Sequence, residues 1–147
     1  MRILGIDPGE NTGYAIVNLD AAERQMSIQD TGTVRMAAHS YAPALAFFLR
    51  TVPEVDLVVC ENYVINPKVY GHSHQGDKGI ALRQIGALEV LALQNKIDCV
   101  LQMPTVKPPG YGFLGKKYVR GKKEMHGFDA LAHVMYYLVS TNSVQPL

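Results

Sequence analysis

Two apolar runs open the chain, RILGID (2–7) and GYAIVNL (13–19), and the turn residues DPGEN join them. Apolar runs of this length around a Pro-Gly turn predict two strands paired as a hairpin. MSIQDTGTVRM (26–36) alternates polar and apolar positions and follows the short polar loop DAAERQ, so a three-stranded antiparallel meander is expected. The pattern then becomes helical over SYAPALAFFLRTV (40–52), with Ser40 as N-cap, Pro43 in the first turn and Pro53 as the stop. DLVVCEN (56–62) is a short continuous apolar run, the mark of a strand buried on both faces. NYVINPKVYGHSHQGDKG, up to residue 79, shows little periodicity and reads as a loop carrying His72 and His74. GIALRQIGALEVLALQN (79–95) is a helix apolar around most of its circumference, and IDCVLQM (97–103) is a fifth strand. A Pro/Gly/Lys-rich connection, 104–125, precedes a last helix, HGFDALAHVMYYLV (126–139).

The predicted order is β-β-β-α-β-α-β-α, an α/β arrangement whose helix-linked strands suit parallel pairing. Strands one, four and five are the most apolar and are expected at the centre of the sheet. A length of 147 residues suits one domain, 1–147, with its own core. Apolar residues at 48% argue against disorder, and no apolar run approaches the ~20 residues of a membrane span. The strand-like start, with Asp7 and Glu10, is unlike a signal peptide. Cys60 and Cys99 fall in predicted buried strands without Cys-x-x-Cys spacing, which fits free thiols in a reducing cytoplasm.

Charge changes the picture in one place. Between Pro104 and Met125 lie Lys107, Lys116, Lys117, Arg120, Lys122 and Lys123 against the single acid Glu124, while the rest of the chain is mildly acidic. One basic segment on an acidic background is the footprint of a polyanion binder, although a solvated loop has the same composition.

Asp7 ends the first apolar strand and Glu61 ends the fourth. Neighbouring parallel strands lie ~4.8 Å apart, so the two carboxylates would face one another at one edge of the sheet. Like charges that close repel unless a cation sits between them, and hard divalent ions favour a few carboxylates. In the last helix His126, Asp129 and His133 share a face distinct from the apolar stripe Leu131, Val134, Met135 and Leu138. Asp129 in the first turn also suits the helix dipole, and His133, a turn further in, reads as an ordinary helix residue.

The series ILGIDPG…TGYAIV, VVCEN, RQIGALEVLA, PTVK and HGFDALAH spans nearly the whole chain. In that order it resembles the RuvC-type Holliday junction resolvases of the RNase H-like nuclease fold. The resemblance implies a mixed five-stranded sheet flanked by helices and an endonuclease dependent on Mg²⁺ or Mn²⁺, with two ions per site. It implies a homodimer that nicks four-way DNA junctions. Asp7, Glu61, His126 and Asp129 map onto the catalytic, metal-holding set, and His126 stands where many members carry Asp. Lys107, Lys116, Lys117, Arg120, Lys122 and Lys123 would hold phosphates, and Tyr63, Tyr70 or Tyr111 could stack on an unpaired base. Excess apolar residues of helix 79–95, including Ile80, Leu88 and Leu91, would supply a two-fold interface. NPKVYGHSHQGDKG matches no family motif, and KPPGYGFLGKKYVRGKK replaces the usual basic helix; a compact bacteriophage member acting in the bacterial cytoplasm fits both departures. The alternatives are the same nuclease fold acting on flaps, RNA–DNA hybrids or branched DNA in general, and a non-catalytic DNA-binding module.

Overall fold

Strand alternation decides which side chains meet. In β1 (Arg2–Asp7) and β4 (Leu57–Glu61) the odd-numbered residues Ile3, Leu57 and Val59 face one hydrophobic cluster. The even-numbered Leu4, Ile6, Val58 and Cys60 face a second. Both clusters are fully inside, so the sheet is the middle of three layers, and Asp7 and Glu61 fall by parity on the first side.

The computed structural model describes residues 1–36, 40–64, 75–119 and 125–147, with the helical backbone alone for 75–78. The chain order continues with β2 (Asn11–Asp20), β3 (Gln25–Arg35), α1 (Ala42–Thr51), β4, α2 (Gln75–Gln94), β5 (Asp98–Gln102), α3 (Lys107–Phe113) and α4 (His126–Ser140). The sheet order is β3-β2-β1-β4-β5. The predicted meander is present, with β1–β2 and β2–β3 antiparallel, and β4 is parallel to both β1 and β5. In the β1–β4 ladder Ile6 is opposite Cys60, which brings Asp7 and Glu61 out side by side at the carboxyl ends. No helix among the described residues is long and apolar enough to cross a membrane.

Five expectations are corrected. β5 is an edge strand and not a central one; its residues are at most half-buried, because only β4 pairs with it. α2 begins at Gln75, four residues before the expected start. The 104–125 connection contains a 3-10 turn, Pro104–Val106, and then α3. Its prolines lie in the first turn, where the missing N–H costs nothing. Leu88 is fully buried and Leu91 packs against the core, so neither is surplus. The outward apolar residues of α2 are Leu82, Val90 and Leu93. The N-cap of α1 is Tyr41 and not the expected Ser40; the Ser40 hydroxyl, one residue outside, accepts the Ala42 N–H at 3.3 Å.

α4 lies directly on the sheet because glycines clear its path. A Cβ on Gly5 would stand 2.6 Å from Val134 Cγ2 and 2.7 Å from the Ala130 carbonyl oxygen. One on Gly13 would collide with the His126 carbonyl, and one on Gly127 would meet Gly32 at 2.9 Å. The bare strand backbone therefore sets how close the first turn of α4 comes to the ends of β1 and β2. α3 meets α4 in the same way, with Gly110 against the Ala132 carbonyl.

Candidate active site

Each functional side chain is delivered by the end of a regular element. Asp7 and Glu61 are the last residues of two parallel neighbours and are 6% and 7% exposed. α4 brings His126 and Asp129 over them from its first turn. α3 brings Lys107 from its first residue and Tyr111 one turn later.

The turn after β1 is held from the opposite side of the sheet. Gln84 of α2 is fully buried, accepts the Gly9 N–H at 3.0 Å and donates to the Gly9 carbonyl at 3.0 Å. The Thr12 hydroxyl bonds to the same Gln84 oxygen at 3.1 Å. Gly9 has φ +155°, a conformation that side chains disfavour, so this turn needs glycine.

Lys107 sits among the acids. Its Nζ is 2.6 Å from Glu61 Oε2, 3.0 Å from Asp7 Oδ1 and 3.5 Å from Asp129 Oδ2. Burial would lower its pKa, but the three carboxylates push it above its ordinary value. Burial alone would raise Asp7, yet the hydrogen bond with His126 and the charge of Lys107 outweigh it and hold the carboxyl below its usual range. Asp129 behaves oppositely: burial raises it, and Lys107 and the Tyr111 hydrogen bond only partly offset that. His126, whose Nδ1 is 3.4 Å from Asp7 Oδ2, has its pKa raised by that bond against the opposing effect of burial.

Asp7, His126 and Asp129 each offer one ligand atom, all within 4.8 Å of one another. The two carboxylate oxygens suit Mg²⁺ or Mn²⁺ with water completing the shell, and the imidazole nitrogen favours the transition metal of the two, Mn²⁺. Glu61 stands beside this group and shares Lys107 with it. All four acid and histidine positions singled out from the sequence therefore converge.

Other expected contacts divide. Lys116 and Lys117 are exposed just beyond α3, and Lys116 Nζ is 5.0 Å from the centre of the Phe128 ring, one residue before Asp129. Tyr63 is half-buried and packs against the core on the α1/α2 side. Tyr111 cannot stack on a base, because it is fully buried and its hydroxyl donates to Asp129 Oδ1 at 2.8 Å. Burial and that bond push its own pKa well up. Tyr70, His72, His74, Arg120, Lys122 and Lys123 lie outside the described residues.

Sequence reasoning passed over His133 and Gln84. His133 is fully buried, with Nε2 3.0 Å from Glu61 Oε2 and Nδ1 3.0 Å from Gln102 Oε1. The shared face of His126, Asp129 and His133 was the available signal. Nothing in the spacing announced Gln84.

No family model matches the chain, and no curated protein matches it by sequence. Solved structures do match it along its length. RuvC of Thermus thermophilus in complex with Holliday junction substrate has a TM-score of 0.65 at 18% identity, over 100% of each chain. The fowlpox virus Holliday junction resolvase gives 0.66 at 14% identity, over 96% of this chain and 99% of its own. The yeast mitochondrial Holliday junction resolvase gives 0.58 at 10% identity, over 92% and 75%. The chain thus has the RNase H-like α/β fold, in the form taken by these resolvase structures, with Asp7, Glu61, His126 and Asp129 gathered at the carboxyl ends of its parallel strands.

Proposed function

We propose that the chain is a divalent-metal-dependent endonuclease that nicks four-way or other branched DNA junctions. The observation that carries this reading is the convergence of three carboxylates and a histidine at one sheet edge, in a fold shared with junction resolvases. Such a cluster of nearly buried acids is costly unless a cation is shared among them; Lys107 is that cation here, and a divalent ion would take the same place. Asp7, Asp129 and His126 would hold Mg²⁺ or Mn²⁺, with Glu61 completing the set. Bound there, the ions supply the Lewis acidity that activates water and stabilises the leaving oxygen of a phosphodiester.

The chain's own groups do the rest. β1 and β4 fix Asp7 and Glu61 on rigid backbone, so the cut is placed by strand geometry and not by a loop. Lys107 lies among the three acids here; with a metal ion in its place there, its ammonium would be released to a phosphate oxygen of bound DNA. His126 is 36% exposed at the rim, so its ring would reach a metal ion held with Asp7 and Asp129 from the side open to DNA. Lys116 and Lys117 extend this positive rim and would bind backbone without reading sequence. The outward α2 face of Leu82, Gly86, Val90 and Leu93 gives a second copy a place to pack, which suits a substrate with two strands to cut.

A nicking assay with Mg²⁺ or Mn²⁺ on four-way, three-way, flap, RNA–DNA hybrid and linear substrates tests the reading, with Asp7→Asn alongside. The four-way junction is expected to be cut fastest and Asp7→Asn to be inactive. Equal cutting by both proteins would remove the metal assignment. Linear duplex cut as fast as the junction would leave a nuclease without junction selectivity.

A further inference from the structure

His133 is a polar residue at a core position. It lies on α4 between Ala132 and Val134, all three fully buried, on the helix face that packs against the sheet. Burying an imidazole there is costly unless both ring nitrogens find partners. Both do, and the partners come from two different strands: Glu61 at the end of β4 and Gln102 at the end of β5. A carboxylate oxygen only accepts, so the ring gives its Nε2 proton to Glu61 Oε2. The Gln102 amide is set with Oε1 3.0 Å from Nδ1; with the ring proton on Nε2, the amide turns over so that its NH2 donates to Nδ1. Glu61 and Gln102 are register partners in the β4–β5 ladder, which places the histidine between two fixed points.

We infer that His133 is a positioning residue for the metal site: it fixes the orientation of the Glu61 carboxylate, and Gln102 fixes the ring. The inference rests on the metal-dependent nuclease reading above and deepens it. Among the described residues both polar contacts of Glu61 end on Oε2, one with His133 and one with Lys107. Lys107 also engages Asp7 and Asp129, so its hold on Glu61 is shared with two competitors. The His133 bond has no such competitor on Nε2, and it comes from a side chain without rotational freedom inside the core. A carboxylate on a two-methylene stem can swing; one oxygen tied to a rigid ring stops that motion and leaves the group set toward Asp7 and Asp129. Partners of this kind around metal ligands are worth about 10–100-fold in metal affinity.

The test uses the full chain and Mn²⁺ alone, measured by isothermal titration calorimetry without DNA. His133→Leu keeps the volume and removes the donor; His133→Gln keeps an N–H near the Nε2 position. The expected result is Mn²⁺ binding weakened about tenfold or more in His133→Leu and restored to within about threefold in His133→Gln. Circular dichroism checks that each variant is folded. Should His133→Leu unfold, His133→Asn, whose amide is too short to reach Glu61, takes its place in the comparison. Glu61→Gln separates the two levels of the argument. If Glu61→Gln loses affinity while the folded His133 variants bind as wild type, the positioning role is overturned and the metal site stands. If Glu61→Gln itself binds Mn²⁺ as wild type does, the ligand assignment falls and takes the positioning role with it.

Discussion

Gly5 lies two residues before Asp7 and touches α4 one residue past Asp129. Gly5→Ala therefore probes packing and site alignment at once. The added methyl would stand 2.7 Å from the Ala130 carbonyl oxygen and 2.6 Å from Val134 Cγ2, where ordinary contact begins at 3.4 Å. Val134 can change rotamer, but the Ala130 carbonyl is helix backbone. The first turns of α4 must then move off β1 by about 0.7 Å, given the 3.4 Å onset of ordinary contact. Overpacking of this kind costs about 1–3 kcal/mol, which for a chain of this size is a Tm fall of roughly 3–12 °C. The same displacement separates Asp129 from Asp7, and misplacement on the order of 1 Å costs up to ~100-fold in rate. Thermal unfolding, Mn²⁺ titration and junction nicking are measured on Gly5→Ala and on Gly79→Ala, where nothing lies within 4 Å of the new methyl. Gly79→Ala is expected to gain about 0.5–1 kcal/mol as a helix substitution, with metal affinity unchanged. A Gly5→Ala protein with wild-type Tm and wild-type Mn²⁺ affinity would refute the claim that bare strand backbone sets the position of α4.

The other predictions concern single contacts. Tyr111→Phe removes the donor to Asp129 and is expected to lose about 1.5–3 kcal/mol by chemical denaturation and to weaken Mn²⁺ binding, whereas an exposed stacking tyrosine would leave both unchanged. Lys107→Met leaves three close carboxylates without their cation, so the metal-free Tm should fall by an amount reflecting about 3 kcal/mol, and millimolar Mn²⁺ should recover much of it; a Tm indifferent to the substitution would contradict the observed ion pairs. Leu93, 79% exposed on α2, is expected to tolerate Asp without loss of Tm while sedimentation shifts from dimer to monomer; a wild-type chain that is monomeric at micromolar concentration would dispose of the α2 interface. Burial, with the charge of Glu89, raises the Cys99 thiol from 9.0 to about 11. The thiolate is the reactive form, so iodoacetamide should label Cys99 about a hundredfold more slowly than an unshifted thiol at pH 8, with the rate still rising above pH 10. A plateau near pH 9 would contradict this, and fully buried Cys60 should stay unlabelled until the chain unfolds.

The strands and three helices were legible because they follow from periodicity. Asp7 and Glu61 were legible because each ends an apolar strand where nothing structural asks for an acid; Asp129, which the helix dipole would also explain, was legible only in company with them. α3 was not, since KPPGYGF carries two prolines and two glycines in seven residues and has poor intrinsic helix propensity. It is helical because Gly110 lets it rest on α4 and Tyr111 fills the core there. β5 looked central because its composition is apolar, yet composition does not say how many neighbours a strand has. Gln84 was illegible, and His133, though on the face of His126 and Asp129, read as an ordinary helix residue, for a different reason: their partners lie 75 and 72 residues away, and only the assembled sheet brings them within a hydrogen bond.

The grip of Gln84 on Gly9 has a mechanical meaning. α2 carries the outward Leu82 and the inward hook Gln84 only two residues apart on one continuous helix. No loop separates the two, so there is nothing compliant to absorb a push. Any load applied to that outer surface, whether from a second copy or from a clamped nucleic acid, passes through one rigid turn of helix to the backbone that carries Asp7.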